Sequence, residues 1–165
     1  MVRRTFELSP SSHRRAVLGG LAVAGLAPTA YGACSPPRVL FVCPAGAVKS
    51  AIAREALKAK ASRRGVAVAV QSRGVQPQDH MTPVLAASLA ADGIDPKAEP
   101  VRTFSRADLA GADIVVAFDE AADDPRLKGA RRWDVPSFRD YPSARAALFA
   151  RLDALLDELS RRPCS

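Results

Sequence analysis

The stretch Cys43-Pro44-Ala45-Gly46-Ala47-Val48-Lys49-Ser50 sets a lone thiol before a run of small residues, a lysine and a serine. It directly follows Arg38-Val39-Leu40-Phe41-Val42, an apolar and β-branched-rich run, and leads into residues 50–64, whose alanines and charges suit a helix. A thiol at the end of a buried strand, followed by a tight turn and a helix start, would be surrounded by backbone N–H groups and the positive end of a helix dipole. Such surroundings favour a thiolate and hold an oxyanion above it. A lone cysteine ending a strand can also be an inert core thiol; the loop, the lysine and the helix that follow favour the anion-facing reading. Lys49 reads as a phosphate contact or a solvated charge, and Ser50 as a loop contact or a helix N-cap. A nucleotide-type phosphate loop is excluded, because Cys43 and Val48 stand where its two glycines should be.

The elements that must position this loop alternate along the chain. After the strand at 38–42 and the helix at 50–64, residues 66–71 read as a second strand. Residues 82–92 read as a helix capped by Thr82, opened by Pro83 and stopped by Gly93. Residues 105–109 begin like a short capped helix, 113–118 form a third strand, and Asp134 with Val135 ends a fourth. Residues 143–162 close the chain as a helix whose Leu148, Leu152, Leu155, Leu156 and Leu159 recur at spacings of three and four, one apolar face. This order predicts an α/β, three-layer fold: a four-stranded parallel sheet with helices on both faces and ligands beyond the carboxyl ends of the strands.

With 165 residues, 48% hydrophobic and 25% charged, the chain has the size and balance of one globular domain. Within its net charge of +7, Arg3, Arg4, Arg14 and Arg15 against Glu7 fall in the first 33 residues, and no run of like charge interleaves with aromatics. That argues against a nucleic-acid surface. Residues 14–33 set Arg14-Arg15 before an apolar stretch from Ala16 to Ala27, then Pro28 and small residues, the three parts of a secretory signal. The stretch falls short of the roughly 20 residues of a membrane-spanning helix. Ser12-His13-Arg14-Arg15-Ala16-Val17-Leu18 resembles the bacterial twin-arginine export signal, which implies a periplasmic protein cut near residues 32–34. Residues 34–37 are then a linker, 38–162 the folded domain and 163–165 a tail, with lipidation of Cys34 as the alternative to a soluble form. Cys34, Cys43 and Cys164 suit neither a disulfide framework nor zinc-ligand spacing, so no metal and no cofactor is expected. An oxidising compartment would let Cys34 and Cys164 pair and leave Cys43 as the odd thiol.

Val39-Leu40-Phe41-Val42-Cys43, then five residues, Lys49-Ser50 and Ala53-Arg54-Glu55-Ala56 resemble the phosphate loop and first helix of low-molecular-weight protein tyrosine phosphatases, whose fold one class of arsenate reductases shares. The likeness continues in order through Gln71-Ser72-Arg73-Gly74-Val75, Gly93-Ile94-Asp95, Asp108-Leu109, Ala112-Asp113-Ile114-Val115 and Phe118-Asp119-Glu120. It implies Cys43 as nucleophile and a cysteinyl-phosphate intermediate. It also implies a phosphate site made by the amides of Ala45, Gly46, Ala47, Val48, Lys49 and Ser50, with a phosphorylated protein or small aryl phosphate as substrate. Five departures stand out. Lys49 replaces the family arginine and loses its planar fork. Gly46 replaces an asparagine brace, Pro44 deletes an amide, and Val48 replaces a second cysteine. Ser137-Phe138 occupy the place of the family's Asp-Pro pair, so Asp140 is the expected general acid and Asp134 the second choice. Phe138 and Tyr141 are candidate walls for an aromatic substrate ring. Arg54 and Arg73 are expected to be surface charges or partners of Glu55 or Asp119, and His80 and His13 show no paired residue that would suggest catalysis. The departures leave weak or altered hydrolysis as the first expectation, an oxyanion-binding module without turnover as the alternative, and arsenate reduction third.

Overall fold

The structure, a computed structural model, describes residues 35–162. The export signal, its cleavage site, the lipidation or pairing of Cys34 and the tail with Cys164 lie outside the described residues. Strand β1 (Arg38–Cys43) is central, with β2 (Ala69–Gly74) on one side and β3 (Ile114–Phe118) on the other, and β4 (Arg131–Trp133) closes the far edge. All pairings are parallel, as crossover connections through helices require. The helices are α1 (Lys49–Arg64), α2 (Pro83–Ala91), α3 (Arg106–Ala110) and α4 (Tyr141–Ser160).

The two faces of β1 follow from the strand's period of two. Val39, Phe41 and Cys43 pack with Ile52, Leu57 and the leucines of α4, while Leu40 and Val42 pack on the opposite face with Phe104, Ala117 and Leu127. Each face thus has its own core, the three-layer arrangement expected. Leu148, Leu152, Leu155, Leu156 and Leu159 are all buried, as their spacing implies. Thr82 caps α2, accepting the N–H of Leu85 at 3.3 Å, and Ser105 with Asp108 forms a capping box at α3.

Two boundaries differ from expectation. Strand β2 lies three residues further on. Gly65, at φ 65°, ends α1, and the N–H of Val66 returns to Ala61 O, so residues 66–68 serve the turn and pairing with β1 begins at Ala69. Strand β4 ends at Trp133, and its short, arginine-rich segment suits a sheet edge. Leu152 is fully buried at the centre of the α4 face. Leu152→Ala should cost about 2–5 kcal/mol of stability, read as a lower urea midpoint with an unchanged slope.

Candidate active site around Cys43

Strand β1 delivers Cys43 at its carboxyl end, and β3 delivers Asp119 immediately after its last residue. These two strands flank the point where strand order reverses, β2 lying on one side of β1 and β3 on the other, where α/β sheets open a crevice. Between Cys43 and α1 the chain makes a turn through Gly46, which adopts φ 76°. A Cβ at Gly46 would lie 2.8 Å from Gly74 N, and one at Gly74 would lie 2.8 Å from Ala45 O. Only two glycines let these backbones meet. Main-chain hydrogen bonds then fasten the loop to the segment after β2: Val75 N–H to Cys43 O at 3.1 Å, Gln76 N–H to Pro44 O at 2.8 Å, and Gln78 N–H to Ala45 O at 3.0 Å. This ladder does the bracing that an asparagine side chain at position 46 is expected to do.

The Sγ of Cys43 is buried and accepts the N–H of Gly46 at 3.1 Å. The Ser50 hydroxyl lies 3.1 Å from the same sulfur, 3.3 Å from Gly46 O and 3.3 Å from Arg73 O, so one proton faces three acceptors. Ser50 is not the cap of α1. Val48 holds that position and no side chain caps the helix, so Ser50 sits in the first turn. The N–H groups of Ala45, Val48, Lys49 and Ser50 donate to no acceptor among the described residues, a surplus of donors at the start of a helix that also lacks acidic residues in its first turn.

Lys49 behaves differently from a free phosphate contact. Its ammonium donates to Asp119 and, at 2.5 Å, to Val135 O, while the other Asp119 oxygen accepts Val135 N–H at 3.2 Å. Asp119 holds φ 51°, an uncommon conformation for a residue with a side chain. Its pairing with Lys49 replaces the partnership with Arg54 or Arg73 expected from sequence. Arg73 pairs with Asp108 at 2.8 Å. Arg54 is no surface charge: it is buried, bound to Glu55 at 2.5 Å, Ser72 Oγ at 2.6 Å and Pro96 O at 3.1 Å.

A cleft of about 490 Å³ opens over the loop, with Cys43, Lys49, His80, Asp119, Phe138 and Arg139 among its walls. Neither carboxylate singled out as the acid lines it. Asp140 is exposed and caps α4, accepting Ser143 N–H at 3.4 Å, and Asp134 is exposed and paired with Arg132 at 2.9 Å. Phe138 forms part of the wall, whereas Tyr141 packs behind it, ring centroids 6.2 Å apart, and donates its hydroxyl to Asp92. His80 and Asp119 went unremarked as cleft residues in the sequence. Asp119 carries one signal, its place just past the third strand; His80 carries none, since it reaches the cleft through the ladder that ties residues 74–78 to the loop. Among the described residues no cluster of side chains suits a metal ion, and no helix is long and apolar enough to cross a membrane.

The model of the family described as low molecular weight phosphotyrosine protein phosphatase matches residues 38–150. No curated protein matches the chain. Among solved structures, the low molecular weight protein tyrosine phosphatase of T. tengcongensis is similar at 21% identity and a TM-score of 0.63, over 74% of this chain and 99% of that one. The arginine phosphatase YwlE of Geobacillus stearothermophilus is similar at 21% identity and a TM-score of 0.61, over 76% and 94%. A thioredoxin-dependent arsenate reductase of Corynebacterium glutamicum is similar at 21% identity and a TM-score of 0.63, over 78% and 64%. At such identities these structures share the fold.

Burial first, then the Asp92 carboxylate, pushes the Tyr141 phenol up to about 12, and the Tyr141 hydroxyl followed by Arg145 holds Asp92 below the usual carboxylate range. The stability from the neutral phenol is therefore present below the ordinary tyrosine value of 10.0 and is lost as pH rises through about 12. In residues 34–165 Tyr141 is the sole tyrosine. Ultraviolet titration of that form should show Asp92→Asn lowering the tyrosinate midpoint; an unmoved midpoint would contradict the anchor.

Proposed function

Since the chain belongs to the low molecular weight phosphotyrosine protein phosphatase family, we propose that it is an exported phosphomonoesterase that works through a cysteinyl-phosphate on Cys43. The Cys43 thiolate attacks phosphorus, the ester P–O bond breaks, and the departing oxygen takes a proton. Water then cleaves the S–P bond, releasing inorganic phosphate and restoring the thiolate. The observation that carries this reading is the loop itself: a sulfur accepting Gly46 N–H at 3.1 Å, beside main-chain donors with no other acceptor among the described residues. A phosphoryl group spreads its charge over three oxygens, and such donors meet that charge as it develops. Ser50 contributes by lending its proton to the thiolate when sulfur leaves phosphorus. The substrates are a phosphorylated protein or a small aryl phosphate, with Phe138 against the ring. Hydrolysis is weak or altered, because an ammonium shared with Asp119 and Val135 O grips phosphoryl oxygens less well than a free planar guanidinium.

The same pairing of Lys49 favours a second reading, an oxyanion-binding module without turnover. Arsenate reduction would need further thiols, and Cys43 is the one cysteine among the described residues. Export rests on the sequence of residues 14–33.

One experiment addresses activity and export together. The protein is recovered from the periplasmic fraction, its mass showing a cut near residues 32–34, and is assayed with p-nitrophenyl phosphate. Turnover should vanish in Cys43→Ser and fall about 10- to 100-fold in Ser50→Ala, the value of a hydrogen bond to a charged group. Phosphate-dependent thermal stabilisation without turnover would favour the binding module instead, and retention in the cytoplasm at full length would contradict export.

A further inference from the structure

The hydrolysis proposed above needs a proton donor for the departing oxygen, and the cleft offers few. Asp134 and Asp140 lie outside its walls. Asp119 is committed to Lys49 and to Val135 N–H, with both carboxylate oxygens accepting. Arg139 lines the cleft but does not release protons in proteins. The Lys49 ammonium is held by Asp119 and Val135 O, which leaves the His80 imidazole as the cleft's uncommitted acid–base side chain.

Its setting suits the task. The segment that carries it is bonded to the phosphate loop through Gln76 N–H to Pro44 O at 2.8 Å, Gln78 N–H to Ala45 O at 3.0 Å and the bridge between Gly46 and Gln78. His80 therefore stands two residues beyond a segment tied to the loop that holds the nucleophile. Its Nδ1 lies 3.2 Å from Gln78 O. A carbonyl oxygen can only accept, so Nδ1 carries a hydrogen and Nε2 is the nitrogen left for chemistry. The charged groups around it are Lys49, Asp119 and Arg139 across the cleft and Asp79 on its own segment, the last paired with Lys97 at 3.0 Å.

We propose that His80 is the general acid of this site, a role that rests on the phosphatase reading. As the Cys43 thiolate bonds to phosphorus and the P–O bond to the leaving group breaks, imidazolium Nε2–H passes its proton to the departing oxygen. The neutral imidazole then takes a proton from the water that attacks the cysteinyl-phosphate, so that inorganic phosphate leaves and the thiolate and imidazolium are regenerated.

The test compares phenyl phosphate, whose leaving group needs a proton, with 2,4-dinitrophenyl phosphate, whose leaving group does not. His80→Gln should lower kcat/KM about 100-fold for phenyl phosphate and less than about threefold for the dinitrophenyl ester, the signature of a lost general acid. His80 is exposed, and an unchanged melting temperature confirms that the variant is folded. Equal losses on both esters, or none on either, overturn the assignment, as does selective loss on phenyl phosphate in Asp140→Asn with His80→Gln unaffected. Wild-type protein without Cys43-dependent turnover of either ester overturns the phosphatase reading and this role with it; Cys43-dependent turnover with an unaltered His80→Gln overturns this role alone.

Discussion

The loop between β1 and α1 has more hydrogen-bond donors than acceptors, and the rest of the site is arranged around that imbalance. Gly46 N–H goes to the Cys43 sulfur at 3.1 Å, while the N–H groups of Ala45, Val48 and Lys49 find no acceptor among the described residues. Donors left without partners in a folded protein cost about 1–3 kcal/mol each when buried, so such a turn persists only if it is held from outside. Its carbonyls do the holding: those of Cys43, Pro44 and Ala45 accept from the segment after β2, and Gly46 and Gly74 meet backbone to backbone. Carbonyls point outward to the protein, leaving donors for an anion.

The charge of Lys49 is balanced within the site. Lys49 has one carboxylate and one carbonyl as partners, and Asp119 has an ammonium and an amide. The pair is largely buried, with about a fifth of each side chain exposed (18% and 19%), so it is less screened than a surface pair. An arriving phosphoryl dianion must share Lys49 with Asp119, and the loop amides therefore carry more of its charge than they would beside an uncommitted arginine. Asp119 holds its left-handed backbone at the end of β3, and strain of that kind commonly marks functional positions.

Elements whose signals are local were legible in the sequence. The β-branched run into Cys43, the Thr82 and Ser105 caps and the leucine face of α4 each follow from neighbours within a turn or two. The start of β2 was not legible, because Val66 and Val68 read as strand residues while Gly65 returns the chain against α1 before pairing begins. The place of Asp140 outside the cleft was hidden for a similar reason: three residues after Ser137 it looks like a mobile carboxylate, but it stands as the cap of α4, just before Pro142 in the first turn. The Lys49–Asp119 pair spans 70 positions, and Gln76 and Gln78, just before His80, bond to Pro44 and Ala45, just after Cys43, contacts that no short window contains. In each case the residue's type was visible and its partner was not.

The most direct measurement of the central claim is acid quenching of a single turnover with p-nitrophenyl phosphate, followed by mass spectrometry of the peptide that contains residue 43. A sulfur serving as nucleophile among main-chain donors predicts one phosphoryl group on Cys43, formed as fast as the first equivalent of phenolate appears. Phenolate release with no label on Cys43, or undiminished release in Cys43→Ser, would contradict the account.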